Sequence, residues 1–191
     1  ELLTFEVTVI PVNWSGEFQA ISTQSSDVYN DFDPNDPRKA SEKKRMLTAM
    51  QSGRQSNCIY MQCETTRSKL EMACATVHTC DETLQCTYFT EQNCNTVTLD
   101  GLAAQGEPLS FIKWCVYTDS RRHDAPLPEA VALAETCSEI PIQTWHARQQ
   151  EILDELWNTA RITVTGQPSL QSGIDFAIYS LFQSAGRYGI S

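Results

Sequence analysis

Cysteine is the feature of this chain that most constrains its fold. Eight cysteines lie in the middle of 191 residues, and no two of them form a Cys-x-x-Cys pair. They are Cys58, Cys63, Cys74, Cys80, Cys86, Cys94, Cys115 and Cys137. An even number at irregular spacing predicts a framework of structural disulfides, and leaves their pairing open. Because disulfides persist in oxidising compartments, the cysteines predict a secreted or lumenal protein.

The charge and hydropathy of the chain exclude some classes of function. A net charge of −10 opposes binding to nucleic acid, which requires a basic surface. No apolar run approaches the roughly 20 residues of a membrane-spanning helix. The length fits one domain over residues 1–191. Asn13, in the triplet Asn-Trp-Ser, is a candidate glycosylation site in a surface loop if the protein is secreted.

Alternating apolar and polar residues predict β-strands near both ends of the chain. Residues 3–12 alternate in this way and are expected to form a strand with one buried face. Residues 161–165 show the same alternation and predict a second strand. Between them, residues 13–57 are polar and predict a long surface excursion, with a short helix at 39–51.

Helical spacing predicts most of the remaining structure. Residues 65–78 place apolar side chains at i, i+3, i+4 and i+7, and they lead into a predicted cysteine-rich loop at 80–100. Residues 109–117 fit a helix, with a strand as the alternative. Three further helices are predicted, one beginning at Pro126, one at 144–157 with Thr144 as its N-cap, and one beginning at Ser169.

Four short segments, in their order along the chain, together resemble one known family. They are Phe5-Glu-Val-Thr-Val-Ile-Pro-Val, Lys69-Leu-Glu-Met-Ala-Cys74, Ser110-Phe-Ile-Lys-Trp-Cys115 and Arg161-Ile-Thr-Val-Thr-Gly-Gln-Pro-Ser-Leu. Each is similar to a segment of the gamma-interferon-inducible lysosomal thiol reductase (GILT) family. The resemblance implies an α/β, thioredoxin-like fold over residues 1–191, to which the polar excursion and the cysteine-rich loop are additions.

The chain departs from that family at its redox centre. The family's Cys-x-x-Cys precedes the strand that matches residues 3–12, and it is absent here. The family's proline before the penultimate strand is replaced by Ala160. The resemblance therefore implies a redox-inactive pseudo-enzyme without catalytic residues or a cofactor. Such a module would act as a structural or binding subunit. It would have protein partners and could belong to a larger assembly.

Two alternative functions remain open from the sequence. The chain could belong to a thiol-disulfide oxidoreductase whose Cys-x-x-Cys lies upstream of Glu1 or on another chain. It could also be a calcium-dependent binding module, because Asp31, Asp33, Asn35 and Glu42 occupy positions 1, 3, 5 and 12 of a possible calcium loop. An acidic solvated loop is the simpler interpretation, since the sixth position, which normally requires glycine, is not a glycine here.

Overall fold

The computed structural model describes residues 1–185, which fall into two compact units. The first unit is Glu1–Glu139, and the described part of the second is 140–185. Among the described residues, the first unit contains eight strands and one helix, and the second contains two helices. No helix in the described part of the chain is both long enough and apolar enough to cross a membrane.

The strands of the first unit form two antiparallel sheets. In chain order they are β1 Leu2–Val9, β2 Gly16–Ser25, β3 Leu47–Gln55, β4 Cys58–Thr65, β5 Glu71–Cys80, β6 Leu84–Thr90, β7 Cys94–Ala103 and β8 Leu109–Asp119. The large sheet has the order β1-β8-β5-β4-β3, and the small sheet has the order β2-β7-β6. Every pair of neighbouring strands is antiparallel.

The two sheets pack face to face as a β-sandwich. Strand β7 shows why, because Asn95, Val97 and Leu99 are buried while the residues between them are not. Side chains of a strand point alternately to the two faces, so this pattern turns one face of the small sheet inward. Val97 and Leu99 pack against Ile59 of β4 and Phe111 of β8, which places the main hydrophobic core between the sheets.

A helix covers the opposite face of the large sheet. Helix α1, Pro126–Glu139, packs against β4, β5 and β8. Val77 of β5 and Trp114 of β8 lie opposite each other in register, and both are almost completely buried. Along each strand, these two residues alternate with residues that face the core between the sheets, so their own side chains face α1. Thr118 Oγ1 donates a hydrogen bond to the carbonyl oxygen of Pro126 at 2.7 Å, where the helix begins.

The second unit contains α2, Ile142–Ala160, and α3, Pro168–Ala185. The Gln171 side chain of α3 hydrogen-bonds to the segment that connects the two helices. Val164 N donates to Gln171 Oε1 at 2.7 Å, and Gln171 Nε2 donates to the Ile162 carbonyl oxygen at 2.9 Å. Gly166 adopts φ +84°, a left-handed conformation that glycine accommodates without strain.

Several predicted elements agree with this fold. Residues 3–12 include all of β1 except its first residue, the helix from Pro126 is α1, and residues 144–157 lie within α2. The helix from Ser169 is α3, and the alternative interpretation of 109–117 as a strand is confirmed by β8. The N-cap of α2 is Pro141, however, and Thr144 N donates to the Pro141 carbonyl oxygen at 2.9 Å.

Other predicted elements are wrong, and the α/β thioredoxin-like fold is wrong with them. Residues 65–78 are mostly strand β5, the predicted loop 80–100 contains β6 and most of β7, and the predicted excursion 13–57 contains β2 and β3. The predicted helix 39–51 is partly β3, and residues 161–165 form no strand. A thioredoxin-like fold interleaves helices with its strands, whereas all eight strands described here precede the first helix.

Candidate functional site

A cavity of about 300 Å³ lies at one end of the sandwich, between the two sheets. Residues of β2, β3, β4, β5 and β8 line it. Sulfur-containing side chains dominate its wall on the large sheet: Met61, Cys63, Met72, Cys74 and Cys115. The alternation of the strands explains this, since Met61 lies opposite Cys74 and Cys63 lies opposite Met72 in the ladder between β4 and β5. No carboxylate is among the lining residues within the described part of the chain.

A buried network of amide side chains borders this cavity through Gln24. Gln24 of β2 donates through Nε2 to the Cys74 carbonyl oxygen at 2.9 Å and to Thr76 Oγ1 at 3.3 Å. Asn95 of β7 donates through Nδ2 to Gln24 Oε1 at 2.9 Å and to the Tyr60 carbonyl oxygen at 2.8 Å. The network therefore joins the small sheet to two strands of the large one. Gln24 and Asn95 are not predicted from the sequence, because their only signal is that an amide occupies an inward position of each strand.

The thiols that face the interior are held in their protonated form. Burial raises the pKa of Cys63 and of Cys115, and it raises the pKa of Cys58 to about 12 with a smaller contribution from the nearby Glu135 carboxylate. Burial and the adjacent Cys74 thiol also raise the pKa of Tyr117. Because the thiolate is the reactive form of cysteine, these thiols are poor nucleophiles at neutral pH.

His78 is the buried imidazole of the sandwich. Its Nε2 forms a hydrogen bond with Ser22 Oγ at 2.9 Å, while its Nδ1 has no hydrogen-bond partner among the described residues. Burial and, to a smaller extent, the ammonium group of Lys113 lower the pKa of His78 to about 4. The imidazole is therefore neutral at physiological pH, and it joins β5 to β2 as a structural hydrogen-bonding group.

The cysteines do not form the predicted disulfide framework. Cys58, Cys63, Cys74, Cys80, Cys86, Cys94 and Cys115 all carry free thiols. The eighth, Cys137, is buried on α1. Seven of the eight lie on strands, where Cys58, Cys63 and Cys115 serve as small buried groups and the other four are partly buried. The Sγ atoms of Cys80 and Cys86 lie 3.9 Å apart.

The residues of the possible calcium loop do not converge. Asp31 forms an ion pair with Lys39 at 2.8 Å, and Asp33 Oδ1 accepts a hydrogen bond from Asn35 N at 2.9 Å. Glu42 forms an exposed ion pair with a nearby lysine at 3.3 Å. Within residues 1–185, no group of three or more His, Cys, Asp or Glu side chains is arranged to hold a metal ion.

Two further candidate positions lie away from the cavity. Asn13 is exposed in the bend between β1 and β2, so its glycosylation stays a prediction, as do the oxidising compartment and the protein partners. Ala160, predicted to precede a strand at the position of a family proline, is instead the last residue of α2. No cis peptide bond occurs in the described part of the chain.

Comparison with known proteins decides the family. Residues 1–156 match the family model described as the N-terminal domain of glycosyl hydrolase family 65. The chain belongs to this family. The match covers the whole sandwich and its helix α1, and it extends into α2.

Its relatives with assigned activities are phosphorylases. The chain is 33% identical over 189 residues to the α,α-trehalose phosphorylase of Geobacillus stearothermophilus, and 28% identical over 193 residues to that of Thermoanaerobacter brockii. It spans about a quarter of the length of each, 24% and 25% respectively. A solved structure from the human microbiome, assigned as a kojibiose phosphorylase, matches 96% of the chain with a TM-score of 0.76 at 10% identity, and the match covers 23% of that protein.

Membership of glycosyl hydrolase family 65 overturns the resemblance to the GILT family. The redox-inactive module and the oxidoreductase with an upstream Cys-x-x-Cys are both wrong, and so is the calcium-dependent module, because a match over 156 residues outweighs four short segments. The prediction of a disulfide-rich pseudo-enzyme of a thiol reductase family is wrong for the same reason, since the relatives are glycoside phosphorylases and therefore enzymes.

Proposed function

We propose that this chain is the N-terminal β-sandwich domain of a glycoside phosphorylase that cleaves α,α-trehalose with inorganic phosphate. The observation that carries the proposal is the 33% identity to the trehalose phosphorylase of Geobacillus stearothermophilus over 98% of the chain. The chain spans 24% of that relative, so the reaction belongs to the whole enzyme and the sandwich is one of its parts.

The chemistry of the sandwich supports a non-catalytic role within such an enzyme. Phosphorolysis breaks the glycosidic C–O bond while phosphate forms a new bond to the anomeric carbon, and the departing sugar oxygen takes up a proton. Enzymes that cleave glycosides use carboxyl groups as proton donors. The cavity between the sheets is lined by sulfur-containing, hydroxyl and aliphatic side chains together with Gln24 and Lys113, and no carboxylate is among the described residues that line it. We therefore assign the sandwich a supporting role, with the catalytic carboxyl group supplied elsewhere in the enzyme.

The test is an assay of the full-length enzyme that carries this chain. Purified enzyme is incubated with trehalose, with and without inorganic phosphate, and the released glucose and glucose 1-phosphate are quantified. We expect the two products in equal amounts and only in the presence of phosphate. Release of glucose without phosphate would instead identify a hydrolase and would overturn the proposal.

Kojibiose serves as the comparison substrate for trehalose in this assay. It is also a disaccharide of glucose, and a protein of the same fold is assigned to it. Preferential cleavage of trehalose supports the proposed substrate. Preferential cleavage of kojibiose would agree with the proposed phosphorylase activity but would refute trehalose as its substrate.

A further inference from the structure

Two cysteines meet where the chain passes from one sheet of the sandwich to the other. Cys80 is the last residue of β5 in the large sheet, and Cys86 lies in β6 of the small sheet. Their Sγ atoms are 3.9 Å apart. A tight turn joins the two strands, in which Leu84 N donates to the Asp81 carbonyl oxygen at 2.9 Å.

The surrounding core holds both sulfur atoms in this position. Cys80 and Cys86 are half-buried, and both pack against the cluster of Ile59, Val97 and Leu99. The strands on each side are fixed by their ladders, since Cys80 lies opposite a residue of β8 and Cys86 opposite a residue of β7. A disulfide requires sulfur atoms about 2.05 Å apart on neighbouring backbone segments. The two sulfur atoms must therefore approach each other by about 2 Å for the bond to form.

We propose that Cys80 and Cys86 form an oxidative cross-link that ties the two sheets of the sandwich together. The oxidant is a low-molecular-weight disulfide, for which oxidised glutathione is the probe. One cysteine thiolate attacks a glutathione sulfur, and a mixed disulfide forms as one glutathione thiol leaves. The second cysteine then attacks the protein sulfur of that mixed disulfide and releases the second glutathione thiol. Two protein thiols are oxidised, one glutathione disulfide is reduced, and the two thiol protons end on the two glutathiones.

The environment of the pair determines how fast this reaction runs. Burial and the neighbouring Cys86 thiol raise the pKa of Cys80 to about 11. Only a small fraction of Cys80 is therefore the reactive thiolate at neutral pH, and the cross-link forms slowly there and faster at alkaline pH. The finished disulfide is uncharged and apolar, so the same buried position suits the product better than it suits the thiolate.

The experiment compares the reduced and oxidised chain. Purified protein is incubated with oxidised glutathione at alkaline pH, excess reagent is removed, and peptides are mapped without reduction. We expect a Cys80–Cys86 peptide link with a mass loss of about 2 Da, the two thiol hydrogens. Because the link closes a short loop of the unfolded chain, we expect the thermal midpoint to rise by roughly 5–10 °C and to return on addition of dithiothreitol.

Serine variants supply the controls. Cys80→Ser and Cys86→Ser should each lose the peptide link and the thermal shift. Cys94→Ser should keep both, because Cys94 is also half-buried on a strand of the small sheet but is not a member of the pair. If wild-type protein yields only glutathione adducts, or links that bypass Cys80 and Cys86, the proposal is overturned. The wild-type peptide map decides the matter even if a variant fails to fold.

Discussion

Protonation of His78 should destabilise the sandwich as the pH falls. The pKa of His78 is about 4 in the folded chain and 6.5 for an ordinary histidine. Its folded pKa is lowered, so the unfolded chain binds the proton more readily than the folded chain does. The stability associated with the neutral imidazole is therefore complete above pH 6.5, is lost progressively as the pH falls, and is fully lost below about pH 4.

The magnitude follows from the same two values. Between pH 7 and pH 5, the lowered pKa reduces the free energy of unfolding by about 2 kcal/mol, and the limiting loss at still lower pH is about 3 kcal/mol. The physical cause is that an imidazolium cation would be enclosed between the sheets with Lys113 nearby, and only 5% of the residue's surface is exposed. A loss of this size is a large fraction of the stability of an ordinary domain.

The assay is urea unfolding of wild-type protein and of His78→Gln at pH 7 and pH 5. Glutamine can still donate a hydrogen bond to Ser22 but does not titrate, and every other titrating group is shared by the two proteins. We expect the wild type to lose about 2 kcal/mol more than the variant over this interval. Equal losses in the two proteins would refute the reasoning, because they would show that His78 takes up its proton equally well in the folded and unfolded chains.

Four further substitutions, three in β7 and one in α3, are measured by urea unfolding at pH 7. Leu99→Ala should lower the free energy of unfolding by about 2–5 kcal/mol because Leu99 is fully buried between the sheets. Leu102→Ala should change it by no more than about 0.5 kcal/mol because Leu102 is 75% exposed. Similar losses in the two variants would contradict the placement of Leu99 in the core between the sheets. Gly101→Ala should destabilise by about 1–3 kcal/mol, since its new Cβ would lie 2.7 Å from the carbonyl oxygen of Thr83. Gly173→Ala should stabilise the protein by about 1 kcal/mol, because Gly173 lies inside helix α3 with open space around it. If Gly101→Ala were also stabilising, the close approach of Gly101 to the Thr83 carbonyl oxygen would be refuted.

Sequence patterns predicted the elements whose partly buried residues recur at a regular spacing. In β1, partly buried and exposed residues alternate except at Phe5 and Glu6, which are both exposed, and in α2 the partly buried positions 153, 156, 157 and 160 recur at helical spacing. Strand β5 lacks this signal because α1 covers one face and the small sheet covers the other. Its residues 75–78 are consecutively buried, and such a run can be fitted to a helix as easily as to a strand.

The cysteine count misled the sequence analysis for a physical reason. Cys58 faces α1, while Cys63, Cys74 and Cys115 line the cavity between the sheets. In these positions each thiol serves as a small hydrophobic side chain, and an even total carries no information about oxidation. The resemblance to a thiol reductase rested partly on the segment that ends at Cys74. Four of the six residues of that segment, 71–74, belong to β5, and they fit the pattern by their composition.

The amide network explains how the two sheets of the sandwich are held in one relative position. Apolar contacts between sheets are non-directional, so Val97 and Leu99 alone could pack against Ile59 after a small sliding of the small sheet. Gln24 and Asn95 remove that freedom, because they lie opposite each other in register and their amides bond directly to each other and to groups of β4 and β5. A slip would leave these buried amides without partners, at a cost of about 1–3 kcal/mol for each group. The polar pair therefore determines the alignment of the sheets, and the cavity keeps its shape because that alignment is unique.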